Sequence, residues 1–200
     1  MEIRKEFTFK GAHRVCNCSS DRCKYSIHGH KYVVEIFISS EPDENNQILD
    51  NGQMVYDFGL TKTSLKDFVK SFDNTYELWN KESEEFKSNI KKINKRWVEL
   101  PFSPSAESLS IMFLKVANTI LANTTTNNGE KRIFVTRVKV HETRTGYAEA
   151  TIEDLKSINY EIKDIIFSQG VLDAFSQEFK DVVFNNIGVF INPIVEQQIF

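Results

Sequence analysis

Between Lys31 and Ser39 the chain reads KYVVEIFIS, and so dense a run of β-branched and aromatic side chains fits a pleated, largely buried strand. An extended segment at the N-terminus puts Ile3, Lys5, Phe7 and Phe9 on one side. A polar loop, Asn17 to Lys24, separates the two, so they are expected to pair around it. A sheet therefore lies at the centre of the fold. Leu60, Leu65, Phe68, Val69 and Phe72 follow helical spacing after a short strand expected at Met54 to Phe58. Ser103 to Glu107 place Pro, Ser and Glu ahead of Leu109, Met112, Phe113, Val116 and Ile120, the signature of a capped helix lying on the sheet. Ile133 to Thr143 and Tyr147 to Ile152 read as a hairpin around Thr145-Gly146, and Asn123 to Lys131 as a loop. The charged stretch Asn80 to Arg96 offers only Phe86, Ile90 and Ile93 as an apolar stripe, so a surface insertion is expected there. Beyond it, Tyr160 to Phe167 reads as a strand, and Val171, Leu172, Phe175, Phe179, Val182 and Val183 as a helix.

A chain of 200 residues that is 40% hydrophobic can bury one good core, so one domain over residues 1–153 is expected, with residues 154–200 as an extension packed on it. The net charge of -3, with Lys and Arg scattered among acids, argues against a nucleic-acid footprint or a polybasic membrane patch and points to a small-molecule partner. No apolar run approaches the roughly 20 residues of a membrane span, and Met1 to Lys10 lacks the apolar centre of a signal peptide, so a cytoplasmic location is expected. Cys16, Cys18 and Cys23 are then expected to be free thiols or metal ligands rather than a disulfide framework.

His28-Gly29-His30 opens the second strand, where residues two apart point to the same face. Two imidazoles on one face make half of a zinc site, and His13, at the expected end of the first strand, is the natural third ligand, leaving a fourth position open. Ordinary surface or core histidines are the competing explanation, weakened because three of only four histidines fall in this corner. A closed site built from Cys16, Cys18 and Cys23 is a second alternative, but the spacing lacks a C-x2-C knuckle.

Six segments in order, FKGAHR (Phe9 to Arg14), Cys23 five residues before His28-Gly29-His30, MVYDFGL (Met54 to Leu60), Phe72-Asp73, PSAE (Pro104 to Glu107) and His141-Glu142-Thr143, resemble the 6-pyruvoyltetrahydropterin synthase and 6-carboxytetrahydropterin synthase family. The resemblance covers about the first 150 residues. It implies an α+β tunnelling fold, an antiparallel sheet of about four strands with two helices on one face, closed into a homo-oligomeric barrel, trimeric or hexameric, with active sites between subunits. It implies zinc on His13, His28 and His30, Cys23 as the catalytic thiol, and Asp73 as an acid-base or orienting group. It also implies a pterin triphosphate substrate held by Glu142, Glu107 and Ser105. Strand alternation groups Glu142 with Phe134, Val138 and Val140 on the apolar face, and His141 with Arg137 and Lys139 facing solvent. Read on their own, Glu107 is also suited to compensating a helix N-terminus, Cys23 to filling a loop, and Asp73 to ending a helix in a turn.

The sequence departs from the family at Asp73-Asn74, where a histidine is expected after the aspartate, and Asn cannot shuttle a proton near neutral pH. The reaction implied is conversion of 7,8-dihydroneopterin triphosphate to 6-carboxy-5,6,7,8-tetrahydropterin in queuosine biosynthesis. The alternatives are the 6-pyruvoyl branch, which eliminates triphosphate without losing two carbons, and a non-catalytic pterin-binding homologue.

Overall fold

The structure is a computed structural model and describes residues 1–196. Strand β1 (Glu2–His13) pairs antiparallel with β2 (His28–Ser40) along its whole length, from Glu2 opposite Ser39 to His13 opposite His28, and the loop between them carries a short helix, α1 (Asp21–Tyr25). A helix α2 (Ser64–Ser71) leads into β3 (Thr75–Trp79), α3 (Glu84–Ile93), β4 (Trp97–Leu100) and the long α4 (Ala106–Ala122). After β5 (Thr124–Thr125) come the hairpin strands β6 (Ile133–His141) and β7 (Tyr147–Thr151), then β8 (Ile166–Phe167), α5 (Gln169–Leu172), α6 (Gln177–Phe179) and β9 (Phe190–Ile191).

The expected four-stranded antiparallel sheet is present as β7-β6-β2-β1, but it is only part of a seven-stranded mixed sheet, order β7-β6-β2-β1-β3-β4-β8. The added β3 runs parallel to the end of β1, and β4 parallel to β3. The charged stretch Asn80 to Arg96 lies between β3 and β4 and carries α3, so it is the crossover that joins two strands of the sheet. Tyr76, Leu78 and Ile90 form a small second core with Ala12, Phe86 and Trp97 packed against it, while Phe7 and Phe9 of β1 join the main core. Alternation along β1 therefore sets α3 on one face and α2 with α4 on the other. Two helices on one face is corrected to helices on both.

Other expectations also change. Met54 to Phe58 is not a strand, because the Asp50 carboxylate accepts the Gly52 and Met54 N–H groups (2.9 and 2.8 Å) and bends the chain before it can pair. Only Ile166 and Phe167 of the Tyr160 to Phe167 segment pair, with β4; Ile162–Asp164 is a 3-10 turn. The expected helix around Val171 to Val183 is broken, since the Ser176 hydroxyl accepts the Phe179 N–H and starts a new helix in mid-segment. Its apolar residues still enter the core: Val171, Phe175, Phe179, Val182 and Val183 pack with Phe68, Phe72 and Phe113, and the Phe175 and Phe179 rings stack 4.5 Å apart.

Candidate metal centre and active site

The register of β1 and β2 assembles the site. His13 ends β1 opposite His28, the first residue of β2, and His30 faces Gly11. The strands approach closely here, for a Cβ on Gly29 would lie 3.0 Å from the Gly11 carbonyl oxygen. The three imidazoles gather with ring centres 4.7, 5.1 and 5.2 Å apart, and their ligand nitrogens all lie within 4.8 Å of one another.

Hydrogen bonds orient two of the rings. His13 Nδ1 donates to the Pro104 carbonyl at 2.5 Å and His28 Nδ1 to the Ser26 carbonyl at 3.0 Å, which leaves Nε2 of each as the free lone pair. His30 Nε2 is buried with no hydrogen-bond partner among the described residues. Burial pulls His13 down to about 4 against the opposing hydrogen bond to Pro104, and burial also lowers His30 against the charge of Glu142. The gathered nitrogens of His13, His28 and His30 fit a zinc-like divalent cation, and the Glu142 carboxylate lies beside them. Among the described residues this trio is the group suited to hold an ion, and the three cysteines do not form one.

Glu142 lies on this side of the sheet, its Oε1 3.4 Å from His13 Nε2 and 3.8 Å from His30 Nε2. His141 points the other way but is not free in solvent: its Nε2 sits 2.9 Å from the buried Glu35 carboxylate, which also bonds Arg4. Burial pushes Glu35 up, yet its bonds with His141 and Arg4 leave it below the usual range. The grouping of Phe134 with Val138 and Val140 fails, because β6 bulges opposite Phe37 and Ile38, so that Val135 takes the buried face.

The remaining expected residues hold structural positions. Cys23 sits half-buried in α1, its carbonyl accepting the Val15 N–H. Asp73 accepts the Lys10 N–H at 2.8 Å through Oδ1, and Asn74 is exposed in a left-handed turn (φ 57°), donating its N–H to the Lys10 carbonyl. Ser105 caps α4 by accepting the Ser108 N–H, and Glu107 is exposed in the first turn of that helix. The carbonyl beside Ser105, that of Pro104, is the one His13 touches, so the start of α4 abuts the site.

Two buried residues were not foreseen. The Tyr32 hydroxyl lies 3.3 and 3.5 Å from the His13 ring nitrogens, and burial, with the charges of Glu77 and Glu142, pushes its phenol far above the ordinary value. Alternation through His28, His30 and Tyr32 carried that signal in the sequence. Glu77 is fully buried in β3, in register with His13, and burial pushes its carboxyl up to about 8. Its strand was hidden beside the charged stretch that read as an insertion.

Comparison with known proteins identifies the relatives of the chain. Residues 2–153 match the family model described as 6-pyruvoyl tetrahydropterin synthase. A Helicobacter pylori (strain J99) protein named 6-carboxy-5,6,7,8-tetrahydropterin synthase is 41% identical over 175 residues, covering 86% of this chain and 84% of the relative. One of the same name from Rickettsia bellii is 28% identical over 150 residues, covering 74% and 99%. Among solved structures, an uncharacterized Wolinella succinogenes protein superposes with a TM-score of 0.52 at 18% identity, covering 76% of this chain and 98% of that one. The Plasmodium vivax 6-pyruvoyl tetrahydropterin synthase gives 0.50 at 18%, covering 75% and 96%, and both share the fold. The chain belongs to the 6-pyruvoyl tetrahydropterin synthase family and is an enzyme, a lyase of the tetrahydropterin synthase type.

Proposed function

We propose that this chain is a zinc-dependent 6-carboxy-5,6,7,8-tetrahydropterin synthase that converts 7,8-dihydroneopterin triphosphate, in the cytoplasm, on the route to queuosine. The observation that carries the reading is the Glu142 carboxylate beside the histidine trio, 3.4 Å from His13 and 3.8 Å from His30. The name of the 41% identical Helicobacter relative supports the 6-carboxy branch.

His13, His28 and His30 would hold zinc, which would supply Lewis-acid polarisation of the substrate side chain. Glu142 accepts the two parallel N–H donors of the pterin ring. Cys23, in the loop between β1 and β2, moves protons at the substrate side chain, and Ser105 and Glu107 at the head of α4 line the ring's approach. Asp73, whose Oδ1 accepts the Lys10 N–H, is the acid-base or orienting group, in the turn it shares with the exposed Asn74.

The active form is a homo-oligomer, trimeric or hexameric. In support, β3 covers only Gly11 to His13 of the outer edge of β1, and the outer edge of β7 has no partner strand among the described residues. The residue Asn74 favours a second reading, a pterin-binding protein without turnover. Metal content and turnover of His28→Ala beside the Cys16→Ser, Cys18→Ser double variant test the proposal. Both should vanish in the first and persist in the second, whereas metal loss in the double variant refutes the histidine assignment.

A further inference from the structure

Beside His13, on the neighbouring strand β3, lies a buried carboxyl group to which the reading above gives no task. Glu77 of β3 is in parallel register with His13 and has no exposed surface. Its Oε1 accepts a hydrogen bond from Thr75 Oγ1 at 2.8 Å, while Oε2 is buried with no partner among the described residues. Gly11 makes the room: a Cβ there would lie 2.2 Å from Oε1 and 2.9 Å from Oε2. Gly11 is also the residue of β1 that faces His30 and stands two places before His13. The carboxyl group is thus seated against the backbone that carries one histidine and faces another. Packing alone does not account for an acid here, since burying one without an ion partner is costly and an aliphatic side chain would fill the space.

The trio brings three neutral nitrogens and no charge to offset a dication. Carboxylates behind the ligands commonly supply that compensation and hold the ligands in place. The Tyr32 phenol, which touches His13, lies within the influence of both Glu77 and Glu142. We propose that Glu77 is a positioning residue of the metal centre, supplying from β3 the carboxylate that steadies the histidines and offsets a bound divalent cation. This rests on the metal-binding reading above.

The test is zinc affinity, measured by chelator competition on the full chain, together with thermal unfolding of the metal-free protein. Glu77→Gln keeps the shape and the Thr75 contact but removes the charge. It should weaken zinc binding by about tenfold to a hundredfold while the metal-free protein melts no lower than wild type. Wild-type affinity in Glu77→Gln, or a loss matched by an equal loss of metal-free stability, would overturn the proposal and leave the histidine site standing. A wild-type chain that binds no zinc would remove the metal reading and this role together. Thr75→Val keeps the acid but removes the hydroxyl that orients it, so it serves if Glu77→Gln yields no folded protein. Several-fold weaker zinc binding is expected from it, and unchanged affinity would count equally against Glu77.

Discussion

His13 and Glu77 face each other across β1 and β3 with opposite responses to pH, and the metal-free protein should reveal both. His13 titrates near 4 in the folded state against 6.5 as a free side chain, so the unfolded chain binds the extra proton and stability falls as pH drops through that window. Glu77, raised from 4.5 to about 8, contributes stability that is complete below 4.5 and lost as pH rises through 8. Between 4.5 and 6.5 the two slopes oppose each other. Metal-free Glu77→Gln should therefore lose melting temperature more steeply on acidification than wild type; parallel curves would contradict these two environments. Beside the trio, Glu142→Gln should weaken pterin binding, by about 1.5–3 kcal/mol if a charged hydrogen bond is lost, whereas His141→Ala should leave it nearly unchanged, as a binding titration would show. Equal effects would mean that the face assignment at the end of β6 is wrong.

Gly11 and Phe179 show how much an element can depend on one position. A methyl group at Gly11 collides with the Glu77 carboxyl, so Gly11→Ala should destabilise by about 1–3 kcal/mol, read by denaturant unfolding. Phe179→Ala should cost about 3–5 kcal/mol although it lies beyond the matched family segment, because its ring packs in the main core. The long strands, α4 and the hairpin were legible in the sequence, β1 from its alternation, β2 from its dense β-branched and aromatic run, α4 from its cap and apolar spacing, and the hairpin from its turn residues. The histidine trio was legible from alternation plus pairing. Strands β3 and β4 were not, because Tyr76, Glu77 and Leu78 are buried consecutively and show no alternation to read. Nor was the bulge in β6, which moves Val135 inward and depends on pairing with β2 rather than on any local pattern. The turn at Asp50 and the break at Ser176 come from side chains satisfying backbone groups, which hydrophobic spacing does not record.

At the scale of the whole molecule, the sheet carries the histidine trio at one end and leaves most of β1's outer edge, from Glu2 to Lys10, without a partner strand among the described residues. Such an edge is closed in the proposed barrel, so light scattering should give the mass of a trimer or hexamer, and a stable monomer would speak against it. No described helix is long and apolar enough to cross a membrane, and on the face that carries α2 and α4 the chain's own C-terminal segment packs Phe175, Phe179 and Phe190 into the core. What the assembled site makes decides its function. Zinc-loaded protein incubated with 7,8-dihydroneopterin triphosphate, with the pterin product identified by mass spectrometry, tests that most directly. The expected product is 6-carboxy-5,6,7,8-tetrahydropterin, with two side-chain carbons lost; a 6-pyruvoyl product, or substrate bound and recovered unchanged, would contradict it.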